Sequence, residues 1–460
     1  MPSLRAAIAG SILLLSHPAF AQDVLTLDRA LQYALDHYPA VRAAVEQVSA
    51  SSSGIDVARS AYLPRLDALW QSNRATANNI FGQILPQSVI PALTGPVLAS
   101  TSSQSVWGSV AGALFTWEPI DLGLRRASVT GAEAAVAQAR AGEALTRLEV
   151  QSAVGIAFLN VVASDQAVVA AQADVDRRDA LARTVHALVD NQLRPGADAS
   201  RADAERAAAQ TRLIQAQQAA AIARFTLTRL LGMTTGTVRL DAAALLDRVP
   251  SADLVTPESS TSTHPLAQAR QAAVDAALAQ QQVLARTDMP RLYLQSSVFA
   301  RGSGANPNGT FDGGWDGLGL DRANWAAGFQ IVFPNVFDFS TLRGRKAAAA
   351  ATTRAEAARH DEALLTIAGE RQTAAAIVQA ARAVAANTPV QVAAARQSLT
   401  QASARYQAGL TGIIEVADAQ NLVAQSETQD QIARVDVWRA LLAQAVADGA
   451  IEPFLKLLQP

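Results

Sequence analysis

Cysteine is absent from all 460 residues, which removes disulfide frameworks, thiolate metal sites and lipid attachment through an N-terminal cysteine. Charge is also scarce, at 17% of residues and a formal net charge of -2, so no basic field marks a nucleic-acid-binding chain. Lysine occurs only at Lys346 and Lys456, a skew that carries no mechanism. There is no G-x-S-x-G, Walker A, dinucleotide fingerprint or H-E-x-x-H. The scattered His37, His186, His264 and His360 read as surface or capping residues. An enzyme is therefore unsupported, and neither a cofactor nor a metal is expected. Beyond the first residues we find no apolar stretch of about 18 residues, the length a membrane-spanning helix requires. A membrane location would have to rest on strands.

What is present is 50% hydrophobic, enough for a large core. The opening MPSLRAAIAGSILLLSHPAFAQD has Arg5, an apolar run from Ala6 to Leu15, and Ala19-Phe20-Ala21. It reads as a signal peptide over 1–21, leaving a mature chain of 22–460 outside the cytoplasm.

That chain is duplicated. Pro39 and Pro64 stand as far apart as Pro265 and Pro290, and both closing prolines begin Pro-Arg-Leu. In each half one proline opens a helical pattern and the other closes it. The repeats run from about 25 to 235 and from about 260 to 450.

After each closing proline the pattern changes to period two. Leu66, Ala68, Trp70 and Ser72 alternate with Asp67, Leu69, Gln71 and Asn73, and Leu292 to Ala300 alternate likewise with Tyr293 to Arg301. A loop-like stretch follows in each half, Phe81 to Ser100 and the glycine-rich Arg301 to Asn324, and a return strand begins at Trp107 or Trp325. The predicted strands lie near 65–75, 105–117, 291–301 and 324–334. Asp312, Asp316 and Asp321 lack EF-hand spacing, so the glycine-rich stretch reads as an exposed, solvated loop.

The return strands run through Pro119 and Pro334 into alanine-rich segments, roughly Leu122 to Asn191 and Phe339 to Gln407. A helix of about 65 residues would extend about 100 Å, beyond the reach of a compact domain. Leu181, Val185 and Leu188, like Ile432, Val435, Leu442 and Val446, fit coiled-coil seams. Each long helix meets a glycine turn, QLRPGADAS or YQAGLTG, and a further helix follows. Four strands cannot close a membrane barrel, whose smallest examples have about eight, so closure requires several copies.

The duplication, LTLDRALQYALDHYPAVRAA from Leu25, the paired Pro-Arg-Leu motifs and YQAGLTGIIEVADAQ from Tyr406 together resemble the TolC-type outer-membrane efflux protein family (outer membrane factors). The resemblance spans nearly all of the mature chain. It implies a mainly α fold with a small β-barrel portion, in which three protomers give four strands each to a twelve-stranded outer-membrane barrel above a long α-helical periplasmic tunnel. It also implies partners: a homotrimer, a periplasmic adaptor protein, an inner-membrane pump of the resistance-nodulation-division, ABC or major-facilitator type, and outer-membrane lipid. The function implied is a passive conduit of a tripartite efflux system. The outer channel of a type I protein-secretion system shares this architecture, and a soluble periplasmic coiled-coil scaffold is the alternative outside the class.

Family members close the periplasmic end with acids just beyond the tip turn, and Glu415 and Asp418 occupy those positions here. Threefold symmetry would make them two stacked carboxylate rings. The alternative is that two acids in the first turns simply favour the helix dipole. Where the best-known members carry an arginine after the tip glycine, this chain has Thr411, which puts a latch relying on that arginine in doubt. The resemblance also assigns the tip turns, Leu193, Arg194, Pro195, Gly196, Tyr406, Gly409, Leu410 and Thr411, to the adaptor. Ordinary helix termination, with Gly409 at positive φ, is the other reading. Trp70, Trp107, Trp117 and Trp325 read as membrane-interface aromatics, with a sandwich core as the alternative.

Overall fold

A computed structural model describes residues 24–79, 97–233, 238–246, 250, 261–334 and 338–458. The expected signal peptide and most of the loop from Phe81 lie outside the described residues. Among those described, the helices are α1 (Leu27–His37), α2 (Pro39–Ser60), α3 (Leu124–Asp190), α4 (Gly196–Leu230), α5 (Ala243–Leu246), α6 (Pro265–Arg286), α7 (Phe339–Gln407), α8 (Ile413–Asp448) and α9 (Glu452–Lys456). The strands are β1 (Arg65–Thr76), β2 (Ser105–Ile120), β3 (Arg291–Ser303) and β4 (Arg322–Val332). The chain divides into two compact units: Met1–Ala43 with Ala144–His264 and Leu365–Pro460, and Ala44–Glu143 with Pro265–Leu364.

The second unit holds the strands. Pro39 and Pro265 each open a helix at the turn where a missing N–H costs nothing. β1 and β3 each begin at the residue after the closing proline. The four strands form one antiparallel sheet in the order β1-β2-β3-β4. β2 continues through Pro119, and its register against β3 shifts between Trp117 and Ile120 because proline cannot donate to the ladder. Beyond it Leu122 and Gly123 take φ 51° and 97°, and the buried Asp121 accepts hydrogen bonds from the Gly123 and Arg125 amides at the start of α3.

The glycine-rich stretch is not simply a solvated loop. Arg301 to Ser303 belong to β3 and are buried, and a 3-10 turn over Asp316–Leu318 folds back onto the sheet. Ser109 Oγ donates to the Leu318 carbonyl at 3.2 Å, and Trp315 stacks on Trp107 with ring centres 5.6 Å apart. A Cβ on Gly302 would lie 1.6 Å from the Gly319 carbonyl oxygen, so only glycine permits this approach. Asp312, Asp316 and Asp321 remain exposed.

The first unit is helical. Its main core surrounds Trp438 on α8, whose indole N–H donates to the Leu245 carbonyl at 2.9 Å and whose ring meets Phe454 edge-on. The covering segments, α5 and α9 with a parallel bridge from Leu25 to Leu240, were not expected from the sequence. Two expectations are corrected here. His264 is buried and not at the surface, while its Nε2, 3.2 Å from the Val446 carbonyl oxygen in the last turn of α8, fits the capping alternative. α3 contains an 18-residue window of mean hydropathy 1.6, half of it buried, so it is long and apolar enough to cross a membrane by length and composition. Unbroken runs miss such a window, because small, weakly polar residues interrupt a run without much lowering its mean.

Candidate functional site

Cross-strand partners share a face of a sheet, so the register sorts the side chains. On one face Leu66, Ala68 and Trp70 oppose Phe115, Ala113 and Ala111, which in turn oppose Ser296, Val298 and Ala300. Leu292, Leu294 and Val298 then oppose Ile331, Phe329 and Trp325. On the other face lie Asp67, Gln71 and Asn73, then Gln295, Ser297 and Arg301, then Arg322, Asn324 and Gln330. The apolar face is the exposed one: Leu66 is 71% exposed, Trp70 73%, Trp325 78% and Phe329 74%. Water would penalise such a patch and hydrocarbon would accept it. β1 and β4 are edge strands, whose unsatisfied backbone groups a bilayer does not tolerate.

The four candidate interface tryptophans divide. Trp70 and Trp325 stand out from the apolar face, and Trp117 is partly exposed while donating through its indole to the Tyr62 carbonyl at 3.1 Å. Trp107 is half-buried beneath Trp315 and Arg74.

In the helical unit the two tips are built alike. α3 ends with Leu193 N–H donating to the Leu188 carbonyl and Gln192 N–H to Val189; α7 ends with Leu410 donating to Arg405 and Gly409 to Tyr406. Both are the paired bonds of a Schellman ending, and they place Gln192 and Gly409 at φ 58° and 74°. Pro195 and Gly412 precede the next helices, and Leu193 and Leu410 are exposed.

The tips are also joined. Arg194 donates to the Tyr406 carbonyl, and its guanidinium lies 4.3 Å from the Tyr406 ring centre. Tyr406 is 2% exposed, and its hydroxyl donates to Asp198 Oδ2 at 3.1 Å. Burial and the Asp198 carboxylate push the phenol up to about 12. Arg194 thus brings to the tip a guanidinium that Thr411 does not supply, a contact between halves that the sequence left open. Val185, Ile413 and Val416 pack around it.

Glu415 and Asp418 are exposed on α8, one turn apart, while Val416 and Ala417 between them are buried. Neither acid makes a hydrogen bond or ion pair with a described residue. In the first half the weaker parallel is Asp203-Ala204-Glu205 with Asp418-Ala419-Gln420, and both of its acids are engaged: Asp203 lies 3.0 Å from His186, and Glu205 lies 2.9 Å from Arg178.

Arg178 itself was missed. At 1% exposure on α3 it meets Asp174 at 3.0 Å, Glu205 of α4 and Asn421 of α8, while Arg177 and Arg396 share Glu427. Thr388 donates to the buried Asp430 at 2.7 Å. A sequence signal existed in the i, i+4 pair Asp174 and Arg178, but nothing local marks it as buried.

A family model described as outer membrane efflux protein matches residues 30–233 and 257–449. The chain belongs to this family. Among solved structures, the outer membrane protein VceC of Vibrio cholerae is similar at 18% identity and TM-score 0.72, over 92% of this chain and 96% of that one. CusC matches at 13% identity and TM-score 0.75 over 92% of both chains. The CmeC outer membrane channel of Campylobacter jejuni matches at 15% and 0.71, over 98% of this chain and 93% of that one. No curated protein sequence matches. As an outer membrane efflux protein, the chain is an outer-membrane channel that extends into the periplasm. In this setting the exposed apolar face of the sheet is the one that meets lipid.

Proposed function

We propose that three copies of this chain close a twelve-stranded pore in the outer membrane and serve as the passive exit conduit of a tripartite efflux system. The observation that carries this is the two-faced sheet with two edge strands, because its apolar face and its unsatisfied edges both call for a membrane and for further copies. The number three rests on the family resemblance. The mature chain, 22–460, is one protomer built from two repeats, and Trp70, Trp107, Trp117 and Trp325 mark its membrane interfaces.

Leu193 to Gly196 and Tyr406 to Thr411 form the surface offered to a periplasmic adaptor, and an inner-membrane pump supplies the energy. The exposed Leu193 and Leu410 support this reading, since an apolar tip favours a partner. Glu415 and Asp418 form the periplasmic gate. Their freedom from partners, against the engagement of Asp203 and Glu205, supports assigning the gate to the second half. Opening parts the tip helices and separates the acidic rings.

Purified protein in a planar bilayer should be trimeric and give discrete, small, cation-selective currents. Well-folded trimers without any current would sink the channel reading. A deletion strain that accumulates small toxic compounds supports efflux, whereas one that fails only to export a polypeptide would move the channel to protein secretion.

A further inference from the structure

At the strand–helix boundary of the second unit, a cavity of about 410 Å³ opens between the start of α3 and the end of α6. Arg126 and Arg286 line it from opposite helices, with Gln282, Thr130 and Leu122 completing the wall. Among the described residues no carboxylate lines it. The acids nearest in sequence are occupied: Asp121 holds Arg125, Glu133 lies 3.5 Å from Arg59, and Asp288 lies 3.1 Å from Lys346. Arg126 and Arg286 make no side-chain hydrogen bond or ion pair with any described residue. Two exposed cations thus share one polar recess with no counter-charge among the described residues.

The position of the recess suggests what does. Ile120 pairs with Leu292 on the apolar face, and both Ile120 and Leu122 are exposed. Leu122 lines the recess just before α3 and Arg126 lies in the first turn of that helix, so the apolar surface gives way to cationic surface there. With the strands in the outer membrane and the helices in the periplasm, as proposed above, the junction between them falls at the headgroup layer of the periplasmic leaflet. Arg343 and Arg345 at the start of α7 add exposed positive charge in the same unit.

We propose that Arg126 and Arg286 form a binding site for the phosphate of an acidic phospholipid in the periplasmic leaflet. The planar guanidinium groups donate in pairs to the phosphate oxygens, while Leu122 and Ile120 meet the upper acyl chain. The inference rests on the outer-membrane placement of the sheet, and its test is independent of gating and cargo.

The test is native mass spectrometry of the full-length, detergent-purified assembly, titrated with phosphatidylglycerol, phosphatidylcholine or inorganic phosphate. Wild type should retain phosphatidylglycerol in preference to phosphatidylcholine, and millimolar phosphate should not displace it. The Arg126→Gln, Arg286→Gln double variant should retain it about thirty-fold more weakly, and either single variant about fivefold. The Arg126→Lys, Arg286→Lys pair, which keeps the charge and loses the paired donation, should fall between wild type and the glutamine double variant. Unchanged retention in the glutamine variants would overturn the site, and displacement by free phosphate would make it a general anion site instead. Bilayer conductance of the same variants should match wild type, so failure here leaves the channel reading standing.

Discussion

The Tyr406 hydroxyl and the Asp198 carboxylate, 208 residues apart in the chain, meet at 3.1 Å and tie the two tip turns together. Arg194 lies over the same ring from the other side of the turn. Each half therefore restrains the other at the point where the proposed gate would open.

Tyr406→Phe keeps the packing and removes only the hydroxyl, so it should cost about 1 kcal/mol in thermal or denaturant unfolding. In bilayers it should raise the frequency of opening. Wild-type phenolate absorbance should include one tyrosine titrating at about 12 that the variant lacks. Because the folded value lies above the ordinary value near 10, this stabilisation is complete below pH 10 and is lost as pH rises through 12. Identical opening in the variant would show that the contact does not restrain the tips.

The Glu415→Ala, Asp418→Ala double variant should conduct more and lose cation selectivity, since the acidic rings are proposed to set both. Removing Asp203 instead should leave conductance near wild type, since it lies 3.0 Å from His186 Nε2 and is not one of the proposed gate acids. Equal currents from wild type and the double variant would leave these acids with only their helix-dipole role.

Arg178→Ala leaves Asp174 without one buried cation and Glu205 without its closest one. Loss of one partner of a buried pair typically costs about 3 to 5 kcal/mol. The helical unit should therefore melt at a clearly lower temperature by circular dichroism, while the strand signal persists. A melting temperature within a degree of wild type would mean that Arg212 and Arg177 compensate.

Gly302→Ala forces a methyl group into the Gly319 carbonyl and should displace the turn at Asp316. The Trp107–Trp315 stack then separates, which tryptophan fluorescence and near-ultraviolet circular dichroism would register. Gly309→Ala is strained locally at φ 82° but meets no neighbouring atom, so it should leave that signal intact. An unchanged spectrum in Gly302→Ala would show that the turn does not depend on this glycine.

By itself the sequence determined the repeating plan. Pro39, Pro64, Pro265 and Pro290 mark helix and strand boundaries because a ring without an N–H acts through local geometry. The alternation from Leu66 and from Leu292 assigned the faces for the same reason: period two is a property of the strand alone. The acids at 415 and 418 were legible as a pair, but their lack of partners among the described residues was not. Only the tertiary structure brought Arg194 and Asp198 to Tyr406, buried Arg178 and His264, and folded the glycine-rich turn onto Trp107. Those outcomes depend on which distant segments meet, and arginines, histidines and glycines carry no periodic signal of their future neighbours.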